Sequence, residues 1–261
     1  MNTKGTLYGV SLGPGDPGLI TRRAWQLLTG KGVWTYPIKN KKSESYALNI
    51  ATRAGLPLPE KNAALLFPMT HDVEKLARYW LQAAQVVLEY LNAGEDVVFL
   101  VEGDASTFST FGHLAKTVKG LDESIEIETI PGVPSYNAAA ARVQLALADV
   151  DDTVAIVPAG YGIEMVERLL NDFDTVILLK VKPILDDIID LLERKDLLAD
   201  SRFIEKAGAE EERVVADVAS LRGELVNYLS LLLIKNPHRQ RGEMIRGCRK
   251  KSGHTEVAAL V

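Results

Sequence analysis

The chain has 261 residues, 47% of them hydrophobic and 25% charged, a globular composition long enough for two modest domains or one large one. Its formal net charge of -5 excludes a nucleic-acid binder that works through a globally basic surface, because phosphate neutralisation dominates that kind of affinity. A single cysteine, Cys248, excludes an intrachain disulfide, and His71, His113, His238 and His254 show no ligand spacing with it or with each other, so no metal is expected.

The N-terminus has no apolar signal-peptide core, and no stretch reaches the roughly 18 uninterrupted apolar residues of a membrane span. A soluble, cytoplasmic protein is expected. In chain order, short apolar runs rich in β-branched residues predict strands at 6–12, 32–36, 97–101, 125–130, 153–157, 175–181, 202–204 and 229–234. Helical patterns lie between several of them, so the fold class reads as α/β. The clearest helix starts near Asp72, carries Val73, Leu76, Ala77, Trp80, Ala84, Val87, Leu88 and Leu91 on one stripe, and ends at Gly94. That stripe is a core-facing one, and Trp80 is assigned no chemistry. The Pro/Gly loop that opens at Pro131 divides the chain into an N-terminal α/β domain, 1–131, and a C-terminal one, 132–236. Beyond them Arg239, Arg241, Arg246, Arg249, Lys250 and Lys251 face only Glu243 and Glu256, and 237–261 reads as a basic, mobile tail. The run Glu210–Glu212 reads as a solvated loop face.

Three stretches carry chemistry. "VSLGPGDPGLIT", 10–21, places Gly13, Gly15 and Gly18 at the G-x-G-x-x-G spacing of a dinucleotide loop. Such a loop aims backbone N–H groups at a pyrophosphate, yet Pro14 and Pro17 lack that group and Asp16 brings a negative charge. The next strand ends in "VWTYPIKNKK", with Lys39, Lys41 and Lys42 where an acidic ribose ligand would stand. An NADP-dependent oxidoreductase, its lysines serving a 2′-phosphate, is therefore the discounted alternative. "FLVEGDASTFSTF", 99–111, and "IPGVPSYNAAAA", 130–141, are strands that end in Gly-Asp and Pro-Gly turns. Open α/β sheets place ligands at such strand ends.

Taken together with "TVILLKV", 175–181, these stretches resemble the tetrapyrrole methylase family, whose members transfer methyl groups from S-adenosylmethionine to corrin precursors. The similarity runs from about Gly5 to Lys235, with the motifs in the family's order. "LLFPMTHDVEKLARYWLQAAQVVLEYLNAGEDVVFLVEGD", 65–104, and the "STF" after it are most similar to the branch that methylates the C-20 meso carbon of precorrin-2 or its cobalt complex. The resemblance implies two α/β domains with the cofactor in the crevice between them, and a homodimer. Carried over by position, the cofactor contacts are Pro14, Gly103, Asp104, Thr107, Ser135, Tyr136, Lys180, Ala207, Tyr228, Leu229 and Ser230. Asp16 and Asp104 are the carboxylates available to take the proton released on methylation or to orient the substrate. An octacarboxylate substrate calls for a locally basic mouth, for which Arg22, Arg23, Lys39, Lys41 and Lys42 are the candidates. Other members of the same fold, a uroporphyrinogen III methylase or a diphthamide-type methylase, are the alternatives, and a non-catalytic binding module is the reading from a different class. The chain departs from the family pattern at Ala105, where a proline is usual, at Phe108 in place of a tyrosine, and at Pro134 in place of a hydroxyl residue. Loss of the proline is expected to loosen the Gly-Asp turn, and loss of the phenol removes a hydrogen-bonding group.

Overall fold

The computed structural model describes residues 3–70 and 72–242. Residues 7–130 build a five-stranded, wholly parallel sheet from β1 (Leu7–Ser11), β2 (Val33–Ile38), β3 (Asn62–Leu66), β4 (Val97–Val101) and β5 (Ile127–Ile130), in the order β3-β2-β4-β1-β5. Parallel strands need long crossovers, and here α1 (Arg22–Leu28), α2 (Tyr46–Arg53), α3 (Val73–Asn92) and α4 (Phe111–Leu121) supply them. The two-residue pleat of β4 sorts its side chains between two cores. Val97, Phe99 and Val101 pack with Ala84, Val87 and Leu91 of α3 and Phe111, Leu114 and Val118 of α4. Val98 and Leu100 pack on the other face with Ala24 and Leu28 of α1 and Ala47, Ile50 and Ala51 of α2. Covering both faces explains why β4 reads VVFLV without alternation.

After β5 the chain enters α5 (Ser135–Arg142), whose Ala139 and Ala140 pack on Ile177, Ile204, Leu231 and Leu233 of a second five-stranded sheet. That sheet joins β6 (Val154–Pro158), β7 (Thr175–Leu179), β8 (Ser201–Glu205), β9 (Arg213–Val215) and β10 (Ser230–Lys235) in the order β6-β7-β10-β8-β9. Only β6 and β7 run parallel; β10 is antiparallel to β7 and β8, and β9 to β8. Two further helices, α6 (Ile163–Asp172) and α7 (Leu185–Arg194), cover its other face through Val166, Leu170, Ile188 and Leu192.

The sheets contain two strands beyond those predicted, β3 and β9. NAALL and the three-residue RVV are too poor in β-branched or aromatic residues, or too short, to stand out. The α3 prediction holds at both ends: Asp72 caps Lys75 N at 3.1 Å, and Gly94 takes φ of 82° after the last turn. Trp80 packs in the core between Phe67, at 4.7 Å, and His113, at 4.9 Å, between ring centroids.

Glu210 and Glu211 are exposed, as expected of a solvated face, while Glu212 is half-buried. All three carboxylates are also paired, two of them with helices: Glu210 with Arg53 of α2 at 3.3 Å, Glu212 with Arg142 of α5 at 2.5 Å, and Glu211 with Lys206 of its own loop at 3.6 Å. The Glu210 pair ties the second sheet's loop to α2 beneath the first. The start of the basic tail is likewise anchored, because Asp174 needs partners. This carboxylate is buried and accepts from Thr153 N at 2.8 Å, from Arg241 Nε at 2.8 Å and from Arg239. Although burial opposes ionisation, those donors hold its carboxyl far below the usual range. Asn236 also donates to Asp174 O at 2.8 Å. Arg246, Arg249, Lys250, Lys251, Glu243, Glu256, Cys248, His254 and His71 lie outside the described residues, as does the rest of the tail expectation.

Candidate active site

The C-terminal ends of β1, β4 and β5 point at the same edge of the first sheet, where the loops that follow them meet. Gly13, at φ of 77°, turns the chain after β1 so that it bridges Gly103 antiparallel, with Gly13 N to Gly103 O at 3.2 Å and Gly103 N to Gly13 O at 2.7 Å. A side chain at that φ would be strained, which is the local reason for the glycine. Gly15 has a steric reason instead. A Cβ there would lie 2.8 Å from Ala209 N and 2.9 Å from both Gly208 C and the Tyr46 hydroxyl. The first two glycines of the G-x-G-x-x-G spacing thus serve backbone packing against two other loops.

The Gly-Asp turn after β4 is tight. Ala105 N donates to Ser11 Oγ at 2.8 Å, and that hydroxyl donates to Ile130 O at 2.6 Å, so one buried side chain joins the ends of three strands. Proline at 105 would have no N–H to give, so the alanine does not loosen the turn as expected; it adds a bond. Asp104 spans the same region. Its Oδ2 accepts from Gly132 N at 2.8 Å, while Oδ1 accepts from Ser106 N at 2.9 Å, from Thr107 Oγ1 at 3.2 Å and from Ser106 Oγ. Burial alone would raise its carboxyl, but these donors hold it below the usual range.

The second sheet closes the cleft with the residues after β7 and β8 and those before β10. Lys180 and Lys206 take positive φ, 57° and 49°, which directs Lys180 N to Ser230 O and Lys206 N to Leu229 O, each at 2.7 Å. Phe108, on the opposite wall, has φ of 52°. Non-glycine residues in this region concentrate where a structure is held for a purpose other than stability.

Between the sheets lies a cleft with about 770 Å³ of free space, counting its open mouth, well within the range of small-molecule sites. Its walls contain Pro14, Gly103, Asp104, Thr107, Ser135, Tyr136, Lys180, Ala207, Tyr228, Leu229 and Ser230, the full set carried over from the resemblance. Phe108 and Pro134, two of the departures from the family pattern, line it too, with five residues the sequence did not single out: Tyr46, Glu102, Leu179, Lys206 and Leu231. The buried Ser230 Oγ has no hydrogen-bond partner, and Lys180 Nζ stands 5.6 Å from the centre of the Tyr228 ring. The Tyr46 hydroxyl donates to Pro14 O at 3.2 Å; its burial, and then the charges of Glu102 and Glu211, push it up to about 12.

Glu102 is the unusual group. It is exposed on the cleft wall, and desolvation by the protein around the cleft pushes its carboxyl up to about 7 against the opposing charges of Lys39 and Lys180. Its signal in the sequence is its place, one residue before Gly103 at the end of β4.

The other predicted residues lie elsewhere. Asp16 caps a single 3₁₀ turn by accepting from Gly18 N at 2.8 Å, and it does not line the cleft. Arg22 and Arg23 are exposed on α1, and Arg23 pairs with Glu128 at 3.3 Å. Lys41 and Lys42 are exposed in a loop organised by Asn40 and Ser43; Lys39 shares that loop but is close enough to act on Glu102.

Known proteins resemble this chain in sequence and in fold. Residues 6–222 match the family model of tetrapyrrole (corrin/porphyrin) methylases. The chain is 32% identical over 233 residues to the probable cobalt-precorrin-2 C(20)-methyltransferase of Methanocaldococcus jannaschii, covering 88% of this chain and 95% of that one. It is 33% identical over 177 residues to the cobalt-precorrin-2 C(20)-methyltransferase of Salmonella typhimurium, covering 68% and 73% respectively. In fold it resembles the uroporphyrin-III C-methyltransferase of Thermus thermophilus solved with S-adenosylhomocysteine, at a TM-score of 0.60 and 23% identity, over 88% of this chain and 92% of that one.

Proposed function

The chain belongs to the tetrapyrrole methylase family, and from that premise we propose that it transfers the methyl group of S-adenosylmethionine to the C-20 meso carbon of precorrin-2 or its cobalt complex. The observation that carries this reading is convergence. Turns more than a hundred residues apart in sequence form one cleft, and two relatives, 32% and 33% identical over 88% and 68% of this chain, are named for that C(20) reaction.

The walls fit the cofactor. The unpartnered Ser230 Oγ, the backbone groups at Gly103, Ala207 and Leu229 and the rings of Tyr136 and Tyr228 offer a mixed polar and apolar lining for a nucleoside joined to an amino acid. The cofactor supplies a methyl group already activated on a sulfonium, so little acid-base work is asked of the protein before transfer. What the residues contribute is alignment, which is worth roughly 7–11 kcal/mol when reacting atoms are held in line. Pro14, Gly103, Asp104 and Thr107 fix the cofactor from the first sheet, and Ser135, Tyr136, Lys180, Ala207 and Tyr228 to Ser230 from the second. Lys39, with Lys41, Lys42, Arg22 and Arg23 further out, gives the substrate's carboxylates a basic approach.

Among the described residues no helix is long and apolar enough to cross a membrane. We place the enzyme in the cytoplasm as a homodimer, and light scattering that returns the mass of one chain would contradict the second statement. Calorimetry tests the cleft itself: S-adenosylhomocysteine should bind once per chain and NADPH should not. An anaerobic competition among precorrin-2, cobalt-precorrin-2 and uroporphyrinogen III tests the substrate class, with the first or second expected to be methylated and preference for the third contradicting the reading.

A further inference from the structure

We propose that Glu102 is the base that removes the proton from the newly methylated carbon of the tetrapyrrole. The inference deepens the function proposed above and rests on it. Methylation at a meso carbon that already carries hydrogen leaves that carbon bonded to both groups. To restore the conjugated ring the C–H bond must break, its electron pair returning to the π system and its proton passing to a base. A base must face the cleft, have a free lone pair and be ionised to a useful degree at working pH.

Asp104 is held to its turn by donors that lower its basicity, and Asp16 does not face the cleft. Every acceptor direction of Asp104 that faces its turn is taken by Gly132, Ser106 and Thr107. Asp16 is folded onto Gly18 away from the cleft. Glu102 meets all three. It lines the cleft one residue before Gly103, and its carboxylate makes no hydrogen bond or ion pair with another described residue.

The charged and titratable groups around it come from every loop of the site: Lys39 after β2, Tyr46 on α2, Asp104 in its own turn, Lys180 after β7, and Lys206, which is paired with Glu211, after β8. Lys39 and Lys180 favour its charge but do not outweigh its desolvation, which leaves the carboxyl at about 7. The carboxyl is thereby a stronger base than an ordinary glutamate and still ionises in the neutral range.

The test compares wild type with Glu102→Gln and Glu102→Asp. Wild-type turnover should rise with pH through a limb near 7, and Glu102→Gln should lower kcat by about 10²- to 10⁴-fold and abolish the limb. Glu102→Asp should be slower than wild type but keep a limb. Two measurements do not depend on turnover. S-adenosylhomocysteine should bind both variants within about twofold of wild type, and difference infrared titration of the ligand-free protein should show a carboxyl band near pH 7 that is missing in Glu102→Gln.

Folding is controlled by melting at pH 8. Because the folded chain holds this proton more tightly than the unfolded one, stability falls as pH rises from 4.5 through about 7, and Glu102→Gln escapes that loss. The variant should therefore melt at or above the wild-type temperature. A Glu102→Gln enzyme that keeps its activity or its pH limb overturns the proposal, and so does one whose loss of activity matches an equal loss of cofactor affinity. No C-20 methylation by wild type overturns the underlying reading, and this inference with it.

Discussion

Asp104 holds the floor of the cleft by joining the turn after β4 to the turn after β5 through Gly132 N. Asp104→Asn replaces one oxygen by a donor, which then faces either Gly132 N–H or the Ser106 and Thr107 donors. Urea unfolding at pH 7 should show a loss of about 1.5–3 kcal/mol, the range for hydrogen bonds to a charged group. The carboxyl titrates below its ordinary 3.8 in the fold, so its stabilisation is complete above that value and is lost as the pH falls. The asparagine variant should thus vary less with pH below 4 than wild type does. Unchanged stability in both respects would make Asp104 a ligand contact alone. At this scale, residues implied by the family resemblance were legible: Gly103, Ser135 and Ala207 stand on the cleft wall. Asp16 was not, because a carboxylate in a glycine-rich loop caps its own turn as readily as it faces a ligand.

Elements with strong periodicity were equally legible. The caps Asp72 and Gly94 marked the ends of α3, although Val73 at the head of its stripe is exposed, and the apolar run of β4 marked a strand. What local pattern could not give was partnership across the chain. Nothing near Glu210 says that Arg53, far back in the sequence, is its partner, and nothing in β9 marks three residues as a strand until β8 lies beside them. The same non-local packing makes Gly15 sensitive. Gly15→Ala would push a methyl into Gly208 and Ala209, both backbone, and should cost about 1–3 kcal/mol as overpacking does. Since those atoms border Ala207 on the cleft wall, S-adenosylhomocysteine affinity should fall as well. An alanine variant with wild-type melting temperature and affinity would show that the two loops do not need this close approach.

For the whole molecule, two sheets of different construction share one cleft, and the loops of both contribute to its wall. The second sheet depends on the segment after β10, whose Arg239 and Arg241 satisfy the buried Asp174. Arg239→Ala should lower stability by about 1.5–3 kcal/mol, with cofactor affinity intact because the pair lies outside the cleft. Denaturation at equal stability to wild type would return this segment to the mobile tail expected from its charge.

The central claim, methyl transfer to one defined carbon in that cleft, is tested most directly by carbon-13 NMR of the product formed anaerobically from S-adenosylmethionine labelled at its methyl group. Offered precorrin-2 and cobalt-precorrin-2, the enzyme should yield a tetrapyrrole with a single new labelled methyl, attached to C-20. A label on any other carbon, or no label in the tetrapyrrole at all, would contradict the account.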